Sequence, residues 1–195
     1  MQKFTLKAMI DQSCELYAER PALSNVDGEP ITYGQLRQQI NQVIALMGEQ
    51  GIGKGDRVAI LSQNMPAWGI AYLAITSMGA VVVPILVDFH VSEILHILKH
   101  SEAKMVFVSS LHYEKIGYAD LDPMPQLVIL DSFELVKEPL SRDKLKARLQ
   151  QRQKQLNILK SKALKAVGLT NEEPEEDDMA ALIYTSGTSG HSKGV

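Results

Sequence analysis

Leu182-Ile183-Tyr184-Thr185-Ser186-Gly187-Thr188-Ser189-Gly190-His191-Ser192-Lys193-Gly194-Val195 is an apolar run that opens into small residues, with three glycines and one lysine. The apolar part, Met179 to Tyr184, has the composition of a strand, and the residues after Tyr184 have that of a loop closing around an anion. Gly187, Gly190 and Gly194 permit close backbone approach, the Ser and Thr hydroxyls add donors, and successive N–H groups line a concavity that Lys193 makes positive. The anion that suits such a loop is the polyphosphate of a nucleotide. The competing reading, a flexible Gly/Ser linker, does not account for a lysine and a preceding apolar strand in this register.

A Walker-type phosphate loop requires G-x-x-x-x-G-K-[ST], with the final hydroxyl on Mg²⁺. Counted from Gly187, the second glycine falls on Ser192 and the hydroxyl residue on Gly194, so that pattern fails twice. The segment instead resembles the signature loop of the AMP-forming adenylating enzymes (acyl-CoA synthetases, peptide-synthetase adenylation domains, luciferases), written Y-T-S-G-[ST]-T-G-x-P-K-G. Tyr184 to Thr188, Gly190, Lys193 and Gly194 match it, whereas Ser189 replaces a usual Thr and Ser192 a usual Pro. Ser189 keeps the hydroxyl; Ser192 gives up proline's fixed φ, which predicts a looser loop without loss of a phosphate donor.

Upstream of the loop the chain alternates strand and helix patterns. Thr5 caps a helix with Leu6, Met9, Ile10, Cys14 and Tyr17 on one face, and Ala22–Val26 with Pro30–Thr32 reads as a hairpin around Asp27-Gly28. Thr32 and Gln35 form a capping box for a helix carrying Leu36, Ile40, Val43 and Met47, which Gly51 ends. After the turn Gly53-Lys54-Gly55-Asp56 come a strand at Arg57–Leu61 and a helix that starts at Asn64 and Pro66 and runs to Met78. Next are a strand at Val81–Leu86, a helix at Ser92–His100 with Ile94, Leu95 and Leu98 on one face, and strands at Met105–Val108 and Gln126–Leu130. This alternation predicts an α/β fold: a mostly parallel sheet with helices on both faces, joined by right-handed crossovers.

Val58 to Val87 contains no Asp, Glu, Lys or Arg, the usual cue for a membrane span. Gln63, Asn64, Pro66, Gly69, Gly79 and Pro84 divide it into strand, turn, helix and strand, as buried parallel strands require. A net charge of −3 argues against bulk nucleic-acid binding, and a single cysteine, Cys14, excludes an intramolecular disulfide. Lys3, Lys7 and Asp11 interrupt any signal-peptide core, so a cytoplasmic protein is expected. Cys14 reads as core, with no neighbouring base to activate it. His96 and His100 share a helix face, as in zinc proteases, but Ile97 stands where the glutamate would be, which favours a structural or solvent-facing pair.

Lys137 to Gly168 carries ten basic residues against two acidic ones, half of all Lys and Arg in the chain, with Leu145, Leu149, Leu156, Leu159 and Ala163 on a helical stripe. Glu172, Glu173, Glu175, Glu176, Asp177 and Asp178 come directly after it. Residues 137–178 read as a basic helix plus an acidic linker. The sharper alternative is a basic amphipathic helix making peripheral contact with an anionic membrane.

The family resemblance extends through Ile31-Thr32-Tyr33, Gly51 to Ile60 and Met78 to Pro84, in order and spacing, so residues 1–130 and 179–195 are covered. It implies that residues 1–195 are the N-terminal part of an AMP-binding (adenylation) domain, the first subdomain of a larger domain, truncated inside its signature loop and inactive alone. The implied parent is a carboxylate–CoA ligase, most like a long-chain fatty-acid–CoA ligase, using ATP, Mg²⁺ and coenzyme A. Thr185, Ser186, Gly187, Thr188, Ser189, Gly190 and Lys193 are the implied nucleotide contacts, with Lys193 in a supporting catalytic role. Two alternatives stay open: an amino-acid or aryl-acid adenylation domain that loads a carrier protein, and a non-catalytic nucleotide-binding module.

Overall fold

The computed structural model describes residues 4–138, 173–185 and 193–194. Helix α1 (Leu6–Leu16) starts at Thr5, whose hydroxyl accepts from the Ala8 N–H at 3.1 Å. Of its apolar residues, Ile10 and Cys14 are buried, while Met9 and Tyr17 are exposed. Burial raises the Cys14 thiol pKa, which keeps it an inert core group. Strands β1 (Pro21–Leu23) and β2 (Ile31–Thr32) pair antiparallel. They are shorter than the hairpin expected from sequence: the chain turns at Asn25, whose carbonyl accepts from the Gly28 N–H, and Val26 projects fully into solvent.

Helix α2 (Tyr33–Glu49) begins in the predicted capping box, with Gln35 and Thr32 bonded reciprocally, and ends before Gly51 at φ +77°. Its buried face is the expected Leu36, Ile40, Val43 and Met47. Strand β3 (Arg57–Leu61) leads to α3 (Pro66–Ser77), and β4 (Val81–Ile85) to α4 (Val91–His100). The α3 cap is Met65, not Asn64. Proline at N1 forces its predecessor extended, and Met65 sits at φ −159°, ψ 160°. Likewise α4 is capped at His90, whose N–H donates to the Glu93 carboxylate at 2.9 Å, so the helix begins one residue before the predicted start. Strands β5 (Met105–Val108), β6 (Gln126–Ile129) and the short β7 (Glu134–Leu135) complete the sheet.

The sheet order is β4-β3-β5-β6-β7, parallel except for β7. From β3 the chain steps to β4 through α3, then crosses back to β5 through α4. If both crossovers have the same hand, their helices must lie on opposite faces. They do. Val58, Ile60, Val82, Phe107 and Val128 pack with α1, α2 and α3, while Ala59, Leu61, Val83, Val106 and Ile129 pack with α4 and the 3-10 turn at Tyr113–Lys115. Residues alternate between the two cores because successive strand side chains point to opposite faces.

Residues 173–178 carry more organisation than their charge suggests. Pro174 is buried, the Phe4 N–H donates to Glu176 at 2.8 Å, and Lys54 pairs with Asp178 at 2.8 Å. Lys7 lies 3.8 Å from Glu173. Asp178 also accepts from the Glu175 N–H at 2.6 Å. That backbone donor, and then Lys54, hold its carboxyl below the ordinary aspartate value. Residues 139–172, including the proposed basic helix, lie outside the described residues. Among the described residues no helix is long and apolar enough to cross a membrane.

The turn at Gly79 and the anchor at Asp178 can each be tested. Gly79 has φ +74°, and a Cβ there would lie 3.0 Å from Lys54 Cγ, whereas Gly53 has open space around it and no positive φ. Gly79→Ala should therefore cost about 1–2 kcal/mol in urea unfolding, and Gly53→Ala should stay within about 0.5 kcal/mol of the parent. Asp178 has a folded-state pKa below its unfolded value. Its contribution is thus complete above the unfolded pKa of about 4 and lost as pH falls through the lower folded value. Hydrogen exchange of residues 173–182 should accelerate across that acid window in the parent. In Asp178→Asn it should already be fast at neutral pH, with a flatter acid response.

Candidate phosphate-binding loop

The run that precedes the loop docks on the free edge of β4. The Val82 N–H donates to the Ala180 carbonyl at 3.0 Å, and the Leu182 N–H donates to the Val82 carbonyl at 2.9 Å, making a parallel bridge between Ala181 and Val82. Parallel to β4, the run advances toward the C-terminal ends of the sheet strands, the side on which α/β folds bind ligands. It then forms β8 (Tyr184–Thr185), which pairs antiparallel with β9 (Lys193–Gly194) in the register Tyr184↔Gly194 and Thr185↔Lys193. The seven residues 186–192 are thereby closed between two paired ends.

Of the residues assigned to the nucleotide from sequence, Thr185 is exposed and stands opposite the backbone of Lys193. Ser186, Gly187, Thr188, Ser189 and Gly190 lie outside the described residues, as does His191. Gly194 is the close approach in the pair. A Cβ there would stand 3.2 Å from both Leu182 Cδ1 and Tyr184 Cζ, so the absence of a side chain lets β9 lie against the Tyr184 ring.

Tyr184 is only 3% exposed, and burial raises its pKa, which keeps the phenol protonated at neutral pH. A 2.7 Å hydrogen bond joins its hydroxyl to His100 Nδ1, and the two rings meet edge to face at 5.7 Å. His96 packs on His100 one helical turn earlier, with centroids 5.7 Å apart. The H-x-x-x-H spacing thus serves ring contact on α4. Sequence reasoning missed the His100–Tyr184 bond, since nothing local signals a contact between residues 84 positions apart. It also missed the pairing of Lys54 with Asp178, which anchors the chain just before the run.

Polar contacts tie together the strand ends beyond β3, β5 and β6. Ser109 Oγ donates to Gln63 Oε1 at 3.1 Å, and the Ser110 N–H and hydroxyl both donate to the Asp131 carboxylate, at 2.7 and 3.0 Å. Lys115 Nζ reaches the Val87 carbonyl, and His112 beside it has its pKa lowered by burial and then by Lys115. A cavity of about 640 Å³ lies at the other end of the sheet, lined by Ile52, Leu98, Lys99, Leu121, Met124 and others, where β3, β5 and β6 begin. Its place, remote from the strand ends toward which the loop advances, sets it apart from the candidate site. Among the described residues no group of His, Cys, Asp and Glu gathers to hold a metal ion.

Comparison with known proteins places this geometry. The crotonobetaine/carnitine–CoA ligase of Proteus mirabilis is 30% identical over 198 residues, covering 97% of this chain and 36% of that protein. The structure of a fatty acyl CoA synthetase from Mycobacterium tuberculosis superposes with a TM-score of 0.70 at 25% identity, over 98% of this chain and 34% of that one. An anthranilate CoA ligase in complex with anthranoyl-AMP has the same fold, with a TM-score of 0.75 at 20% identity, over 100% of this chain and 34% of that one. The chain thus spans about a third of the length of these proteins. The profile of the family described as AMP-binding enzyme matches residues 10–195, which include the sheet, the docked run and the paired strands around the loop. The chain belongs to the AMP-binding enzyme family.

Proposed function

We propose that residues 184–194 are the phosphate-binding loop of an ATP-dependent acid–thiol ligase, of which this chain is the N-terminal part. The observation that carries the reading is the pairing of Thr185 with Lys193, which closes a Gly/Ser/Thr-rich segment directly after a run bridged to the sheet edge at Ala181. In the proposed reaction a carboxylate oxygen attacks the α-phosphorus of ATP. The α–β phosphoanhydride breaks, pyrophosphate leaves, and an acyl-AMP forms. The thiol of coenzyme A then displaces AMP to give a thioester.

Thr185, Ser186, Gly187, Thr188, Ser189 and Gly190 would supply hydroxyl and backbone donors to the β- and γ-phosphates, and Lys193 a positive charge, where negative charge develops on the leaving group. A donor-rich loop free of acidic residues suits polyphosphate. Mg²⁺ would neutralise charge on the phosphates; no described residues form a ligand set for it, and no residue of this chain is assigned to the metal or to coenzyme A.

The acid in this reading is a long-chain fatty acid, supported by the likeness to the mycobacterial fatty acyl CoA synthetase. The relatives named for carnitine and anthranilate define the competing arms. Pyrophosphate exchange by the full-length protein with fatty, carnitine-type and aryl acids tests the assignment. Exchange should be fastest with long-chain fatty acids. Preference for an aryl acid overturns the acid, and no exchange with any acid overturns the ligase.

Variants in the loop test the phosphate role. Gly190→Val puts a branched side chain where the reading requires the backbone to approach phosphate, and should lower adenylation by roughly 10²-fold or more. Lys193→Ala removes one charge and should cost about tenfold. Both should spare acyl transfer from preformed acyl-AMP, because pyrophosphate has already left. Equal loss in both half-reactions, in variants that melt with the parent, would remove the phosphate assignment.

A further inference from the structure

We propose that His100 is a positioning residue for the loop, holding its paired ends in register through Tyr184. The proposal rests on the phosphate-loop reading for its catalytic consequence, but its structural content stands on the described residues alone. His100 occupies the last position of α4, an element whose buried face of Ile94, Ile97 and Leu98 is locked into the core. Its Nδ1 meets the Tyr184 hydroxyl at 2.7 Å, and the edge-to-face packing of the rings fixes the direction of the bond. Tyr184 is the first residue of β8, and Gly194, its partner in β9, lies so near the Tyr184 ring that a Cβ would stand 3.2 Å from Cζ. A displacement of that ring therefore moves β9, and with it the backbone of Lys193.

The chain of contact runs from a rigid helix through one hydrogen bond and one ring to the backbone pair Thr185↔Lys193. Strands β8 and β9 have two residues each. A two-stranded ribbon of that length is not stable alone, so its geometry depends on the docked run that precedes it and on what the Tyr184 side chain holds. Tyr184 is buried and its hydroxyl would lose a hydrogen bond if His100 were removed, which gives the contact a directional role beyond packing. His96 packs against the far ring of the pair and supports the imidazole.

Asparagine is the informative replacement, because its side-chain amide places a polar atom near the position of Nδ1 and can bond the phenol, whereas alanine cannot. The full-length protein should be compared as parent, His100→Ala, His100→Asn, Tyr184→Phe and the double variant His100→Ala/Tyr184→Phe. Two readouts are needed. The first is hydrogen exchange at the amides of Tyr184, Thr185, Lys193 and Gly194. His100→Ala should accelerate it by roughly three- to tenfold, the range expected for loss of one hydrogen bond, with β3 to β6 unchanged. Asparagine should restore most of the protection, and the double variant should resemble either single one, since both remove the same bond. The second is pyrophosphate exchange, in which KM for ATP should rise by a similar factor while KM for the acid stays within about twofold.

Unchanged exchange at β8 and β9 in His100→Ala overturns the proposal whatever the catalytic result. So does a uniform loss of protection across the whole sheet that asparagine does not recover, which would make the effect of His100 a general loss of stability. If the hydrogen-exchange pattern is found but the parent shows no pyrophosphate exchange, the positioning role stands and the ligase reading fails. If the exchange pattern is found and KM for ATP does not move in an active parent, the catalytic consequence of the positioning is overturned.

Discussion

Two backbone hydrogen bonds at Val82 set the position of the candidate site. Val82 lies on β4, the edge of the five-stranded sheet, where one side of the strand has no neighbour within the sheet. An unpaired edge offers N–H and C=O groups to any extended segment that arrives in register. The run at Ala180–Leu182 takes that place, and β8 follows directly from it. The register of β4 is in turn fixed by five pairs with β3, from Arg57↔Val81 to Leu61↔Ile85. An error of one residue there would reverse which side chains enter each core and would carry the loop out of place.

The uncharged stretch from Val58 to Val87 has its cause in the same architecture. Strands β3 and β4 are covered on both faces, and α3 lies between the sheet and the pair α1 and α2, with Ile70, Ala71, Ala74, Ile75, Thr76 and Ser77 buried. A helix enclosed in this way has no face for charges, and its small residues let neighbours approach closely. Helix α4 differs. It is alone among the described helices on its face of the sheet, and its sequence is amphipathic, with Lys99 and His100 in the last turn, where the helix dipole favours positive charge.

Much of this frame was legible in the sequence because local chemistry and the fold agree. The capping box at Thr32 and Gln35, the turn before Arg57 and the stop at Gly79 rest on interactions within a few residues, and the parallel strands, though they pair distant residues, show as short apolar runs between turns. Boundaries failed where one residue decides them: Met65 caps α3 in place of Asn64 because Pro66 dictates its neighbour, and α4 starts at Val91 in place of Ser92 because Glu93 reaches back to His90. The edge strand β7 was missed for its two-residue length. At the site, the residue types of the loop and the strand before it were readable. The contacts that hold the strand, Lys54 to Asp178 and His100 to Tyr184, join residues 124 and 84 positions apart, and no periodicity reports such pairs.

The strand order carries one further constraint on where an anion can bind. Taken as β4-β3-β5-β6, it reverses direction between β3 and β5, and the C-terminal ends of those strands are where a doubly wound sheet ordinarily opens a ligand crevice. Here Gln63 and Ser109 bridge that gap, and Ser110 spends its N–H and its hydroxyl on Asp131. The donors are already committed, and the carboxylate repels a polyphosphate by about 1 kcal/mol for each pair of unit charges at 4 Å, even in water. The segment from Thr185 to Val195 holds no acidic residue. The usual crevice is thus less suited to an anion than the acid-free segment proposed to bind one, which follows the run bridged to β4 at Ala181.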